Sequence, residues 1–272
     1  MSKGLCDAIN LADNYIFGDP NNSRENGYES FFDSYCPDDN CDTDNNKVSS
    51  TFISLLKIFE DESLESDKLA EYASLWLSHK ANQKPQNGTT KLYDFYTSYV
   101  LTNNKYDDKI FTNNKINMEV ISKKIESMDI DIKDISNFYD AFKSLCNMYS
   151  EFDPEKNNEC KTCLETAGEL VEKYEKLKNA LDINKGSSYY KLLSSLSNDY
   201  KIYGQIYNSV CNNSSPFVAC PRSSVTKNTL ITIAIIFVAA SILLVVSYKV
   251  NNKELKKKYC IYVNINEQPY AS

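Results

Sequence analysis

Nine cysteines are the residues in this 272-residue chain whose type and spacing most readily do chemistry, and the closest pair, Cys160 and Cys163, stands in "ECKTCLE". A C-x-x-C spacing can hold zinc between thiolates, run thiol–disulfide exchange, or anchor a disulfide framework. Cys36 and Cys41 make a second close pair, while Cys6, Cys146, Cys211, Cys220 and Cys260 are spread along the chain. A thioredoxin-like role needs a strand ahead of the motif, and the pattern ahead of Cys160 is a helix and a loop. A four-thiolate zinc site from Cys36, Cys41, Cys160 and Cys163 stays open beside the disulfide reading.

Other chemistry is sparse. His79 is the sole histidine, which removes histidine-based triads and multi-histidine metal sites. The glycines are scattered, so neither a phosphate loop nor a dinucleotide fingerprint can be drawn. The stretch "DTDNNK" begins like a calcium loop with Asp42, Asp44 and Asn46, but Lys47 stands where glycine is required and Ile53 where the closing glutamate belongs. Carboxylate runs such as "DIDIKD" read as solvated helix ends. No catalytic, cofactor-binding or metal-binding residue is nominated, and the chain is read as a non-enzyme.

Topology decides among the cysteine readings. From Asn228 to Tyr248, "NTLITIAIIFVAASILLVVSY" holds no charged residue and as a helix is long enough to cross about 30 Å of hydrocarbon. Lys249, Lys253, Lys256, Lys257 and Lys258 follow it, whereas the twenty residues before it offer only Arg222 and Lys227. The positive-inside bias then puts the C-terminus in the cytoplasm and the N-terminal domain on the exoplasmic side. The opening "MSKGLCDAINLADNYIF" carries Asp and Asn where the apolar run of a signal peptide would lie, so the late helix is expected to serve as both signal and anchor. Tail-first insertion would instead leave the domain in the cytosol. On the exoplasmic side the eight cysteines before the span, Cys6, Cys36, Cys41, Cys146, Cys160, Cys163, Cys211 and Cys220, are an even set in an oxidising compartment and are expected in disulfides. Cys260, beyond the span, is a candidate for lipidation.

The elements that must position these cysteines are helical. Apolar residues recur at three and four residue intervals: Val48, Phe52, Leu55 and Phe59; Leu69, Tyr72, Trp76 and Leu77; Leu92, Phe95, Tyr96 and Tyr99. An N-cap at Asp134 opens a helix with Ile135, Phe138, Phe142, Leu145 and Tyr149, followed by Leu164, Ala167, Leu170, Tyr174 and Leu177, then Tyr190, Leu193, Leu196, Tyr200 and Tyr203. These stripes are core rather than binding surface. The organisation is a helical ectodomain over 1–208, a juxtamembrane stalk with Pro216 and Pro221 over 209–227, a transmembrane helix over 228–248 and a short basic cytoplasmic tail over 249–272. Helices over 134–151 and 160–181 should pack as an antiparallel hairpin about Pro154, which brings Cys146 level with Cys163, the favoured pair, or with Cys160. Residues 18–35, 82–91, 102–115 and 152–159 read as polar surface loops, and glycosylation sequons stand at Asn21, Asn87, Asn212 and Asn213.

Composition narrows the partners. The net charge of −7 includes a tail of five Lys and two Glu, which leaves 25 basic against 35 acidic residues before it, a net of −10. So acidic a domain is no nucleic-acid binder. The 30 Asn, and 28 Lys against 2 Arg, point to an A/T-rich coding sequence.

In their order along the chain, "SYCPDDNCDTDNNKVSSTFISLL", "LESDKLAEYASLWLSHKANQ", "DIKDISNFYDAFKSLCNMYSEFD", "CKTC", "SSYYKLLSSLSNDY" and "NTLITIAIIFVAASILLVVSYK" resemble the Plasmodium interspersed repeat (PIR) proteins, the variant antigens of malaria parasites, in particular the rodent-parasite (CIR-like) type. The resemblance implies an all-α, disulfide-supported ectodomain followed by a single C-terminal transmembrane helix, displayed by the parasite or its infected red cell. It implies host cell-surface molecules and antibodies as partners besides the lipid bilayer, and it brings no catalytic residues or cofactors. The tail "KVNNKELKKKYCIYVNINEQPYAS" departs from the family in lacking a long Lys/Arg-rich run. The alternative is an intracellular membrane-anchored trafficking or scaffold protein with its acidic domain in the cytosol.

Overall fold

Ile135, Phe138, Phe142, Leu145 and Tyr149 are all buried, and the helix that carries them, α7 (Ile132–Glu151), is the centre of the domain. Helix α4 (Ser66–Gln83) lies antiparallel on it, with Tyr72 stacked on Phe142 at 4.9 Å and His79 on Tyr139 at 4.4 Å. On another side α8 (Glu165–Asn179) returns as the expected hairpin, where Lys173 donates to the Asp140 carbonyl at 3.0 Å and to the Ser144 hydroxyl at 2.8 Å. Helix α9 (Ser187–Val210) packs on both α7 and α8. The N-terminal helices α1 (Lys3–Phe17), α2 (Glu29–Asp33) and α3 (Asp44–Phe59) pack on one another, with α1 also against α7 and α3 against α4. Helix α5 (Leu92–Phe95) runs into a π-helical turn at Tyr96–Val100, and α6 (Met118–Ser127) covers α4.

The computed structural model describes residues 1–17, 29–83, 90–112, 115–153, 160–180, 187–211 and 217–221. Among them there is no strand beyond two isolated bridges, and no helix is long and apolar enough to cross a membrane. The expected span over 228–248, the tail with Cys260 and the four sequons fall outside the described residues. The chain divides into a unit Met1–Arg222 and a second, Ser223–Ser272.

Local chemistry fixes the helix starts. The Thr43 hydroxyl accepts the Asn46 N–H at 3.1 Å to open α3, and the Asn117 side chain accepts the Val120 N–H at 2.9 Å to open α6, which satisfies donors that lack an intrahelical partner. Helix α7 begins three residues before the expected Asp134, with Asp131 at the N-cap. The reason is an antiparallel bridge between Lys91 and Asp131, with the Ile132 N–H donating to the Thr90 carbonyl at 2.8 Å. Helix α8 starts at Glu165 rather than at 160 because Leu164 is held extended: its N–H donates to the Val218 carbonyl at 3.0 Å and its carbonyl accepts the Cys220 N–H at 2.9 Å. Its cap comes from across the hairpin, where the Glu151 carboxylate accepts the Glu165 and Thr166 N–H groups at 3.3 and 3.0 Å and the Thr166 hydroxyl at 2.6 Å.

Trp76, Phe138 and Phe142 are at most 2% exposed, as core stripes should be, and burying each such side chain contributes about 2 to 3 kcal/mol. Helix α3 is buried further round than its apolar stripe, with Ser49, Ser50, Thr51 and Ser54 at 0% exposure. Thr51 and Ser54 satisfy their hydroxyls on the carbonyls one turn back, at 2.7 and 3.0 Å. The loop expected over 102–115 is partly core. Asn103 and Tyr106 are buried, and the segment runs along α3, from the Ser49 hydroxyl at Asn103 to Glu60 at Thr112.

Candidate functional site

The eight cysteines before the expected span are all paired: Cys6–Cys146, Cys36–Cys41, Cys160–Cys211 and Cys163–Cys220, with Cα separations of 5.0 to 5.8 Å. The favoured Cys146–Cys163 bridge is therefore replaced by two others, and so is Cys146–Cys160. The hairpin argument matched heights along α7 but not direction around it. Ser144 faces α8 through Lys173, and a residue two positions on points about 200° away, so Cys146 looks toward α1 and meets Cys6 instead. The zinc reading of Cys36, Cys41, Cys160 and Cys163 fails on the same ground, since these four sulfurs lie in three different disulfides and offer no thiolate. Asp33 lies with Cys36 and Cys41 in a group compact enough for a metal, but their shared disulfide leaves Asp33 as its only ionisable ligand.

The Cys36–Cys41 bridge closes a tight turn in which Asp38 and Asp39 both take left-handed backbone angles, φ 50° and 58°, a conformation that aspartate tolerates better than most residues. Asn104 holds this turn by accepting the Asp38 N–H at 3.3 Å and donating to its carboxylate at 2.6 Å, and Lys105 pairs with Asp39 at 2.8 Å. Asn103 sits beneath, its amide donating to the Tyr35 carbonyl at 2.9 Å and the Ser49 hydroxyl at 3.0 Å. Beside the turn opens a cleft of about 910 Å³ whose charged lining is Glu29, Asp33, Asp39, Asp42 and Lys47. Tyr15 forms its wall, stacked on Phe32 at 5.0 Å and donating to Asp33. Burial, and then the Asp33 carboxylate, push the Tyr15 phenol far above its ordinary value, so it remains a neutral donor. The face consists of exposed carboxylates on a covalently closed turn.

Two of the four segments expected as surface loops meet here, through residues 29–35, which instead hold helix α2 with the buried Phe32, and 102–108. Residues 18–28, 84–89, 113–114 and 154–159 of those loops lie outside the described residues. Sequence reasoning missed Asn103 and Asn104 as the organisers of this face. They stand in an Asn-rich segment, "LTNNKYDD", where nothing marks one asparagine as buried.

The titratable groups inside the bundle are structural. Asp13 accepts from Trp76 at 3.1 Å and Tyr139 at 2.7 Å and pairs with Lys80 at 2.7 Å and Lys143 at 2.5 Å, tying α1 to α4 and α7. Burial acts to raise its carboxyl, but the two lysines outweigh it and hold the group below the usual range. Lys68 bridges Glu71 at 2.9 Å and Asp199 at 2.8 Å, joining α4 to α9, and Lys124 of α6 reaches Glu71 at 3.0 Å. Burial raises the Asp199 carboxyl above its ordinary value despite Lys68. His79, besides its stack on Tyr139, lies 3.2 Å from the Ser136 hydroxyl and 2.9 Å from the Gln83 amide, and burial holds its imidazole toward the neutral form. Neither network opens onto the cleft.

The sequence profile of the Plasmodium variant antigen protein Cir/Yir/Bir family matches residues 6–249. The solved structure of a Plasmodium PIR protein ectodomain is similar, with a TM-score of 0.62 and 34% identity over 82% of this chain and 98% of that one. Comparison with curated proteins finds no match. The chain belongs to the Cir/Yir/Bir family of Plasmodium variant antigens, and its described part is an all-α, disulfide-stabilised domain.

Proposed function

We propose that the chain is a non-enzymatic surface antigen, held by a membrane helix over 228–248 with its domain exoplasmic, that presents the Cys36–Cys41 face to host cell-surface molecules and to antibodies and serves immune evasion. The observation that carries this reading is the pairing of all eight cysteines before the span, because such a set forms and persists in an oxidising compartment and not in a reducing cytosol. The surface chemistry agrees with a contact role: the face is carboxylate-rich and open.

Two measurements test it. Protease added to intact infected cells should digest residues 1–221 and spare the tail, whereas full protection of the domain favours the scaffold role in the cytosol. Exchanging the turn residues 37–40 for those of a relative should change antibody and host-cell binding while helical content stays the same, since exposed connections vary independently of the core. Recognition unchanged by the exchange would refute this face as the contact surface.

A further inference from the structure

We propose that the disulfides form a load path, a covalent line along which tension passes from the N-terminal helix to the point where the chain leaves the domain, without drawing out the helices between. Cys6 in α1 is joined to Cys146, 140 residues on, and Cys163 to Cys220, 57 residues on. A pull between Met1 and position 223 loads only residues 1–6, 146–163 and 220–223, roughly 25 residues that reach ~90 Å when straight. The same pull on the reduced chain can draw out roughly 222 residues, or ~780 Å. All of α2 to α6, most of α7 and all of α8 and α9 lie off the line.

The C-x-x-C spacing makes the second junction double. If Cys163–Cys220 opens, Cys160–Cys211, spanning 51 residues, takes the load, and the line lengthens only to roughly 31 residues. Cys160 is exposed but its partner Cys211 is buried, and Cys163 and Cys220 are half-buried. Opening Cys160–Cys211 alone leaves the line unchanged. Noncovalent contacts run beside the rungs. Leu164 bridges Ala219, and Phe217 sits against Tyr200, Tyr203 and Tyr207 with ring centroids 5.2 to 5.6 Å apart. A Cβ on Gly204 would stand 3.0 Å from the Phe217 ring, so the bare helix backbone there is what seats it.

The use of this line in the cell rests on the C-terminal anchor proposed above, but its existence does not. The test is single-molecule stretching of the full chain in detergent micelles, with DNA handles on an N-terminal extension and on an azide-bearing residue in place of Ser223. The oxidised protein should stop near ~90 Å of released contour, and added reductant should extend it about eight-fold or more. Cys163→Ser with Cys220→Ser should lengthen the oxidised limit by only about a quarter, whereas Cys6→Ser with Cys146→Ser should raise it to roughly 165 residues, ~580 Å. An oxidised wild-type chain that runs out beyond ~290 Å, the limit with both C-x-x-C bridges gone, would overturn the proposal. So would a Cys163→Ser, Cys220→Ser chain that extends as far as the reduced one. Neither result bears on which side of the membrane the domain occupies, which the protease experiment decides separately.

Discussion

Where the chain leaves the domain, Cys160–Cys211 and Cys163–Cys220 join residues 51 and 57 positions apart, whereas at the acidic turn face Cys36–Cys41 joins residues only 5 apart. Loop-closure entropy grows with the logarithm of the loop, so closure stabilises by about 4 kcal/mol for each long bridge taken alone and about 2 kcal/mol for the short one. At the exit the covalent bonds gather separate elements: the loop before α8, the end of α9 and the strand-like residues 217–221. At the face the bond shapes a single turn, and its hold on the rest of the domain comes through Asn103 and Asn104. One region is built to stay attached, the other to keep a small polar surface in one shape.

Removing all four exit cysteines as serines should break this contrast most severely. The expected loss is about 3 kcal/mol per bridge, less than two independent closures because the bridges share a loop. Denaturant unfolding of the oxidised protein should show it, while antibody binding at the face survives wherever the protein is still folded. Replacing Cys36 and Cys41 with serine should do the reverse. Stability should fall by about 2 kcal/mol or less, and antibodies raised against the folded face should lose affinity although the domain stays folded. Equal losses of stability from the two sets would show that the exit is no more strongly held than the face.

The smallest effect sharpens the comparison at one carboxylate. Burial acts to raise Glu151, but the Thr166 hydroxyl and N–H, Lys161 and the Glu165 N–H outweigh it and bring the group down to about 2. Since the folded value lies below the unfolded one, the stabilisation is full above the ordinary carboxylate range and fades as the pH falls from about 5 toward 2. Glu151→Gln should cost about 1 kcal/mol at neutral pH, in keeping with one partly exposed helix cap. It should also flatten that acid limb. An unchanged acid limb in the variant would mean that the cap does not govern it.

Helices α3, α4, α5, α7, α8 and α9, their buried stripes and the α7–α8 hairpin were legible in the sequence because apolar spacing reports burial directly, whereas α1, α2 and α6 were not. The cysteine partners were not. Eight cysteines admit 105 pairings, and choosing among them needs the azimuth of Cys146 around α7, which depends on which neighbour packs on which side. The extent of burial on α3 was hidden as well, because Ser49, Ser50, Thr51 and Ser54 look like a solvated face until their hydroxyls are seen to bond back onto the helix or across to α2. The Cys36–Cys41 face was half legible. The proline and aspartates of "CPDDNC" mark a turn, but its supports, Asn103 and Asn104, lie more than sixty residues away and only the tertiary packing brings them under it.

The disulfide map also sorts the chain into closed rings. Cys6–Cys146 closes one ring with the small Cys36–Cys41 ring inside it, and the two crossed bridges from Cys160 and Cys163 close another. A single cut anywhere within either large ring leaves one covalent molecule, which runs on a non-reducing gel as if uncut. Between Cys6 and Cys220, only the segment from Cys146 to Cys160 belongs to no ring. There one hydrolysed peptide bond ends the covalent connection, and the piece that carries the Cys36–Cys41 face is then held to the piece that continues to the C-terminus only by noncovalent contacts, chiefly the packing of α8 and α9 on α7.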